Sequence, residues 1–564
     1  MDLPVSKSSK LTASQGIFSG RRLRQLREYI TAYLMIAPAV ILIFVFGIFP
    51  VGFALYVSLN KWRLKRSGLI GLDNYTKSIG NLIYVALFAL ALGALAGAII
   101  LLIRTIRLAR EKGDKPWLLA IPGALHAAAV AAFFQYIFYQ LPEFLDIANK
   151  IVGKQKTREL FNTLLSEAFR AETVQPAWQL FFWLFIAAIV VSVAAYFLWR
   201  NLNNPLYQAN FALVWLLAII SVGLSIYTYN AIQSAYAVAL EEGSDPGIWP
   251  QLLTISVGAI LLAFAWWLWD NAEKAASTFS FWLRLVAALI LMVGGWALIG
   301  QLPMVIANSD PDLWTGLKVT VFYSLGTVPF QLSIALFISV LLFQRLRGSE
   351  IMRVIYFLPY VTPAVASAAI YKQLFSNRPQ APVNQLLGLF GIGTQQWLRE
   401  PRGIFAMIAQ GIGIENLPEW LGGPSMALVV IMIFSIWTFV GYNTVIYLAG
   451  LGNISNELLE AAEIDGANRW QIFSNIIFPL LSPTTYFLSL ISIIGTFKAF
   501  NHIWVMRDGL ALGTTDTFSV MIFIEFFEKL RYGYASALAF VLFAIILGLT
   551  YINNRVQGSR VFYG

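Results

Sequence analysis

Residues 33–59 read YLMIAPAVILIFVFGIFPVGFALYVSL, a run without one charged side chain. A bilayer core of about 30 Å is crossed by roughly 20 apolar residues in a helix, so this segment is long enough to span. It follows Lys7, Lys10, Arg21, Arg22, Arg24 and Arg27, and an excess of Lys and Arg beside a span marks the cytoplasmic side. The N-terminal end is therefore expected inside. A signal peptide has an apolar region of about 7 to 15 residues before a small-residue cleavage site. The longer run here reads as an uncleaved helix.

The pattern recurs outward along the chain. Further candidate spans lie near 82–103, 117–139, 178–199, 209–230, 252–269, 281–302, 315–342, 353–375, 425–449, 484–506 and 534–552, which with the first makes about 12. Composition agrees: of 564 residues 58% are hydrophobic and 12% charged, with 42 Phe, 23 Tyr and 18 Trp and a mean hydropathy of +0.69. Soluble domains carry about 25% charge, so a water-soluble enzyme with one compact core is excluded and an all-α integral membrane protein is expected. The net charge of +10 could suggest nucleic acid, but the basic residues cluster between spans and form no single face. No nucleic acid partner is expected. Zero Cys and two His leave no thiolate metal site, disulfide or Cys nucleophile, and almost no material for a His-based metal site.

If the spans alternate, Arg104, Arg107, Arg110, Lys112 and Lys115 fall inside, as do Arg345, Arg347, Arg353, the 451–482 loop, and Arg555 and Arg560. Glu241, Glu242 and Asp245 fall outside. The loop with Asp270, Glu273 and Lys274 should be cytoplasmic and is neutral in signal. Dropping one span between 82 and 302 would put the basic loops outside, so an even number is expected there. The 140–177 stretch, with Leu145, Ile147, Leu160, Phe161 and Leu164 at helical spacing, reads either as an amphipathic interfacial helix or as an ordinary folded loop. The Pro-rich 376–424 stretch is a second long external segment, placed where a soluble donor could dock.

Residues 451–482 are patterned but never apolar enough to span. Ser455 can cap a short helix carrying Glu457, Leu458, Leu459, Glu460 and Ala462, which Gly466 ends. Asn468 with Gln471 forms a capping-box pattern for a second helix bearing Trp470, Phe473, Ile476 and Ile477 on one face, with Pro479 and Pro483 as stops. The expected element is a helix–turn–helix at the cytoplasmic face, where the small Ala461 and Ala462 allow another protein to approach closely.

The wording Glu460-Ala461-Ala462, three residues, Gly466, nine residues, Ile476, one residue, Phe478, Pro479 resembles the EAA loop of ABC importer permeases, with Phe478 standing where the family usually has Leu. A random match is on the order of 10⁻⁷ per start position at average residue usage. Asp465-Gly466-Ala467 and Trp470-Gln471-Ile472-Phe473 look more narrowly like the maltose-type carbohydrate branch. So do Gly71-Leu72-Asp73-Asn74-Tyr75, Phe357-Leu358-Pro359 and Tyr532-Gly533-Tyr534-Ala535-Ser536-Ala537. Where that branch commonly shows a Thr-x-Gly-Gly-Pro-like turn, this chain reads Arg507-Asp508-Gly509 within 506–517. The resemblance implies a cytoplasmic tail at 1–32, a first core helix and external segment at 33–81, an inserted membrane region of about six helices at 82–302, a type I permease core at 310–553, and a cytoplasmic tail at 554–564.

The resemblance also implies a transport subunit of a prokaryotic inner membrane, not an enzyme. Its implied partners are a second, similar permease subunit, two cytosolic ATPases that hold ATP and Mg, and an extracytoplasmic substrate-binding protein, all set in the lipid bilayer. Glu460, Ala461, Ala462, Asp465, Gly466, Ile476 and Pro479 would couple to the ATPases. No cofactor is expected on this chain: the only Gly-Lys pair, Gly153-Lys154, has Ala148 where a phosphate-cradling loop needs its first Gly.

A sugar path needs hydrogen-bonding groups and aromatic faces, and polar groups at membrane depth line cavities. Ser435, Thr438, Phe439, Tyr442, Ser492 and Thr496 are the candidates, since Ser435, Phe439 and Tyr442, and likewise Ser489, Ser492 and Thr496, recur at about one helical turn. In the resembling family these two helices line the cavity; the alternative is that such Ser and Thr join helices. Lys498, about 22 Å along its helix, can reach substrate or snorkel to the outer interface, and the second reading is preferred. His126 reads as a packed helix residue, His502 as interfacial, and Trp266, Trp267 and Trp269 as an interfacial anchor. Two other functions stay open: the same mechanism for glycerol-phosphate or a polyol, with Lys498 as an anion contact, and a membrane-embedded transferase built in the inserted spans.

Overall fold

The computed structural model describes residues 20–63, 65–198, 205–272, 274, 277–300, 305, 309–344, 348–414, 417–418 and 421–558. The tail before residue 20, Arg345, Arg347, Glu273, Arg560 and the span ends at 199 and 301–302 lie outside them. The described residues are almost entirely helical, with one hairpin in which Asn60–Trp62 pairs antiparallel with Arg66–Leu69. Ten helices are long and apolar enough to cross a membrane, or up to twelve when two bent pairs each count as one span.

Ten of the candidate spans are helices, and most run further than the apolar stretch alone indicates. The first is continuous over Gly20–Ile43, a widened turn at Phe44–Ile48, and Phe49–Ser58. The second, Leu82–Lys112, carries Arg104, Arg107, Arg110 and Lys112 on its final turns instead of in a loop. Long basic side chains bury their stems along a helix end while the charges reach water, which is why composition set the boundary too early. Ala120–Ile151 likewise runs on through Pro142. Thus 140–177 is neither one helix nor a loop. Ile147 lies in the last turns of the long helix, which ends at Ile151, and Leu164 and Ala168 of the separate helix Arg158–Phe169 are buried against it.

The 82–302 region continues through Val174–Leu198, Pro205–Glu241, Ile248–Asp270 and Thr278–Ile299. Close backbone approach holds it together: a Cβ on Gly123 would lie 2.7 Å from Phe211 Cβ, and one on Gly258 2.9 Å from the Gly295 carbonyl. In lipid, such small-residue contacts give helices the packing that hydrophobicity cannot. The 82–302 region meets the rest of the chain where Tyr84, Ile232, Ile248 and Leu252 pack with Leu72, Tyr75 and Ala537, and again where Phe138 meets Tyr56 with ring centroids 6.0 Å apart.

The remaining bundle contains Pro311–Phe343, Ser349–Val361, Ala364–Leu374, Met426–Gly452, Ser482–Phe497 and Tyr532–Gly558. Two expected spans are broken. The 353–375 span bends by 93° between Glu350–Val361 and Ala364–Leu374, because Pro363 has no N–H to donate and drives Thr362 to an extended ψ of 147°. The 484–506 span ends at Phe497 and resumes as the short helix Asn501–Met506. The carbonyl freed at Phe497 accepts from Ser519 Oγ at 2.9 Å.

Candidate functional site

The 451–482 element folds as two capped helices. Ser455 Oγ accepts the Glu457 N–H at 3.2 Å to open Asn456–Ile464. That helix ends as Gly466 turns to φ +80°, and the Ala467 N–H closes back on the Ala462 carbonyl at 3.0 Å. Asn468 and Gln471 then cap each other reciprocally, at 2.9 and 2.8 Å. Pro479 does not stop the second helix. A widened turn at Phe473–Ile477 takes up the misfit of a residue lacking N–H, and the chain bends by 62° only between Arg469–Leu480 and Ser482–Phe497. Pro483 sits in the first turn of the latter.

Of the expected coupling residues, Glu460, Ala461, Asp465 and Gly466 are exposed, while Ala462, Ile476 and Pro479 are half-buried. Beside them Ile464 is 86% exposed and Trp470 71%. The element is fixed from below. Ile454 and Ile477 pack on Tyr447, Leu451, Leu481 and Leu488, and a Cβ on Gly450 would meet Thr484 Oγ1 at 2.6 Å. Helices Met426–Gly452 and Ser482–Phe497 are thus tied to the element and to each other where it leaves the bundle.

The same two helices wall a cavity of about 350 Å³. Ser435, Phe439, Tyr442, Ser492 and Thr496 line it together, as expected, and Thr438 does not; its hydroxyl donates to the Phe434 carbonyl at 2.9 Å. Sequence reasoning missed Tyr323, Gln331 and Tyr360, which come from Pro311–Phe343 and Ser349–Val361. Tyr360 stacks on Tyr442 with ring centroids 4.6 Å apart. His502 is not interfacial but buried, sharing a three-way hydrogen-bonded cluster with Tyr323 Oη at 2.8 Å and Ser435 Oγ at 3.1 Å. Gln331 Oε1 and Asn443 Nδ2 are buried in this wall with no hydrogen-bond partner among the described residues. Lys498, preferred above as a snorkelling residue, lines the cavity as well.

Both backbone breaks border this space, through Tyr360 and Ala364 on one side and residues 498–501 on the other. Non-helical backbone at membrane depth persists where it lines a cavity or is buried in protein. Discontinuous helices of this kind frame solute sites in transporters.

At the end of the bundle remote from the 451–482 element, ion pairs clamp the connections. Arg507 holds Asp516 through two bonds, at 3.0 and 3.2 Å, and Arg399 holds Asp508 at 3.0 Å. This is the segment that departs from the expected Gly-Gly-Pro turn. Burial opposes ionisation of Asp508, but the Leu510 N–H and Arg399 outweigh it and hold its pKa below the usual carboxylate range. Burial wins at Asp516, whose pKa is raised despite Arg507.

The profile of the family described as "Binding-protein-dependent transport system inner membrane component" matches residues 331–559, which contain the 451–482 element and nearly all of the cavity wall. The probable ABC transporter permease protein YesP of Bacillus subtilis is 33% identical over 259 residues, 45% of this chain and 76% of that protein. The lactose transport system permease protein LacF of Rhizobium radiobacter is 30% identical over 256 residues, 45% of this chain and 78% of that protein. The trehalose/maltose transport system permease protein MalF of Thermococcus litoralis is 28% identical over 252 residues, 45% of this chain and 77% of that protein. With its bundle of spanning helices and its capped, outward-facing loop, the chain belongs to the family of binding-protein-dependent transport system inner membrane components.

Proposed function

We propose that this chain is the permease subunit of an ATP-driven importer of a sugar or oligosaccharide. It would pair with a second, similar permease, two cytosolic ATPases and an extracytoplasmic binding protein. ATP and Mg would be bound by the ATPases and not by this chain. The observation that carries the reading is mechanical: an exposed helix–turn–helix is mounted on the two helices that wall a polar and aromatic cavity. Glu460, Ala461, Asp465 and Gly466 would face the ATPase, with Ile464 and Trp470 seated in its cleft, since exposed apolar groups of this size in a polar loop mark a protein contact. Ala462, Ile476 and Pro479 would hold that surface in shape.

Motion of the element would tilt Met426–Gly452 against Ser482–Phe497 and open the cavity to alternate sides. Differential binding of ATP to the two states would supply the energy. Gln331 and Asn443 would meet solute hydroxyls, and Phe439, Tyr442 and Tyr360 would cover the apolar face of a ring. Ser435, Ser492 and Thr496 would complete the path, while Thr438 serves only its own helix. The lactose and trehalose/maltose relatives support the carbohydrate class.

The absence of cysteine makes the orientation directly testable. A Glu463→Cys variant in intact cells is expected to resist a membrane-impermeant maleimide until the cells are opened. In proteoliposomes of the assembled importer, solute uptake is expected only with ATP on the side of the 451–482 element. Labelling from outside, or full-rate uptake without nucleotide, would overturn the proposal.

A further inference from the structure

We propose that the solute passing this cavity carries an anionic group, a carboxylate or a phosphate, that Lys498 receives. The proposal rests on the cavity being the solute path. Lys498 follows the last turn of Ser482–Phe497, where the negative end of the helix dipole favours a retained positive charge. Among the described residues its ammonium forms no ion pair or hydrogen bond, whereas Lys372, from the neighbouring helix Ala364–Leu374, spends its ammonium on the Val505 and Arg507 carbonyls, each at 3.0 Å. No Asp or Glu lines the cavity.

Of the other polar groups in the wall, Gln331 and Asn443 are 3% and 2% exposed, each with an atom left unpaired among the described residues. A buried polar atom without a partner is costly, whereas Lys498 is exposed and lines the cavity, so its ammonium is open to a ligand. A wholly neutral sugar would satisfy the two amides and leave the ammonium bare. A polyhydroxylated anion satisfies all three. Lys498 then acts as a specificity determinant, while the aromatic faces and amides read the rest of the molecule.

The test uses the full-length chain in lipid nanodiscs with the subunits that accompany it, titrated with two matched pairs: a diuronic acid against its neutral methyl ester, and sn-glycerol 3-phosphate against glycerol. In at least one pair the charged member is expected to bind about 10-fold tighter or more, the range of a charge-assisted hydrogen bond. The pair that shows the preference identifies the anion. Lys498→Gln is expected to bring that ratio to about 1 without changing affinity for the neutral member, and Lys498→Arg to keep it. Neutral and charged members binding equally to the unmodified chain, or a preference that survives Lys498→Gln, overturns the proposal and leaves the saccharide path standing. No binding of any probe overturns both.

Discussion

Replacing Glu460 by Lys is expected to reduce solute uptake to background, a fall of about 100-fold or more, while the protein still accumulates in the membrane. The side chain is exposed and takes part in no hydrogen bond or ion pair among the described residues. Exposed substitutions of this kind usually change folding stability by about 0.5 kcal/mol or less. The cost would therefore fall on the partner contact. Reversing a charge at a docking surface opposes association by several kcal/mol, and about 2.8 kcal/mol already corresponds to 100-fold. Uptake rate, membrane level by immunoblot and co-purification of the ATPase should be measured together. Loss of uptake with the ATPase still bound would move the defect from docking to transmission, and normal uptake would remove Glu460 from the coupling surface.

Gly441→Val is expected to be the most damaging single change to stability in the permease bundle. A Cβ at this position would sit 1.8 Å from the Tyr356 carbonyl oxygen and 3.1 Å from Phe357 Cα. Both obstacles are backbone, so no side-chain rotation relieves the clash. Helices Ser349–Val361 and Met426–Gly452 would have to separate, and overpacking of that kind costs about 3 kcal/mol or more. The same separation would pull Tyr360 from Tyr442. Thermal unfolding in nanodiscs should show a large drop in Tm, whereas Gly452→Ala, later in the same helix and with nothing within 4 Å of the added carbon, should be close to neutral. Equal behaviour of the two variants would show that this crossing is not a tight one.

The helical membrane architecture was legible because apolar runs of the required length have few alternatives in lipid. The capped turns of 451–482 were legible for a different reason: Ser455, Gly466, Asn468 and Gln471 act on their own neighbourhood, and each does what its chemistry indicates. Five of the six expected cavity residues line it, chosen by helical spacing on the two helices that the family resemblance pointed to. Thr438 failed because a hydroxyl can bond its own helix as readily as face a cavity, and spacing does not separate the two. Tyr323, Gln331, Tyr360 and His502 were not recognisable because their importance comes from long-range contact, such as the 2.8 Å bond across 179 residues between Tyr323 and His502. Lys498 was read on a helix continuing to 506; in the structure it follows the end of that helix and is exposed while lining the cavity. Once the helix stops at Phe497, the backbone itself carries the lysine into the wall.

The 82–302 region shares one buried cluster with the permease bundle, and its other buried clusters are its own. A bundle attached at one edge behaves like a keel. It would enlarge the footprint in the bilayer and slow lateral diffusion, without bracing the helices proposed to move. Under the proposed transport cycle, Tyr532–Gly558, shared by that cluster and the permease bundle, would be the stationary post, and the working stroke would be taken up on the side away from it.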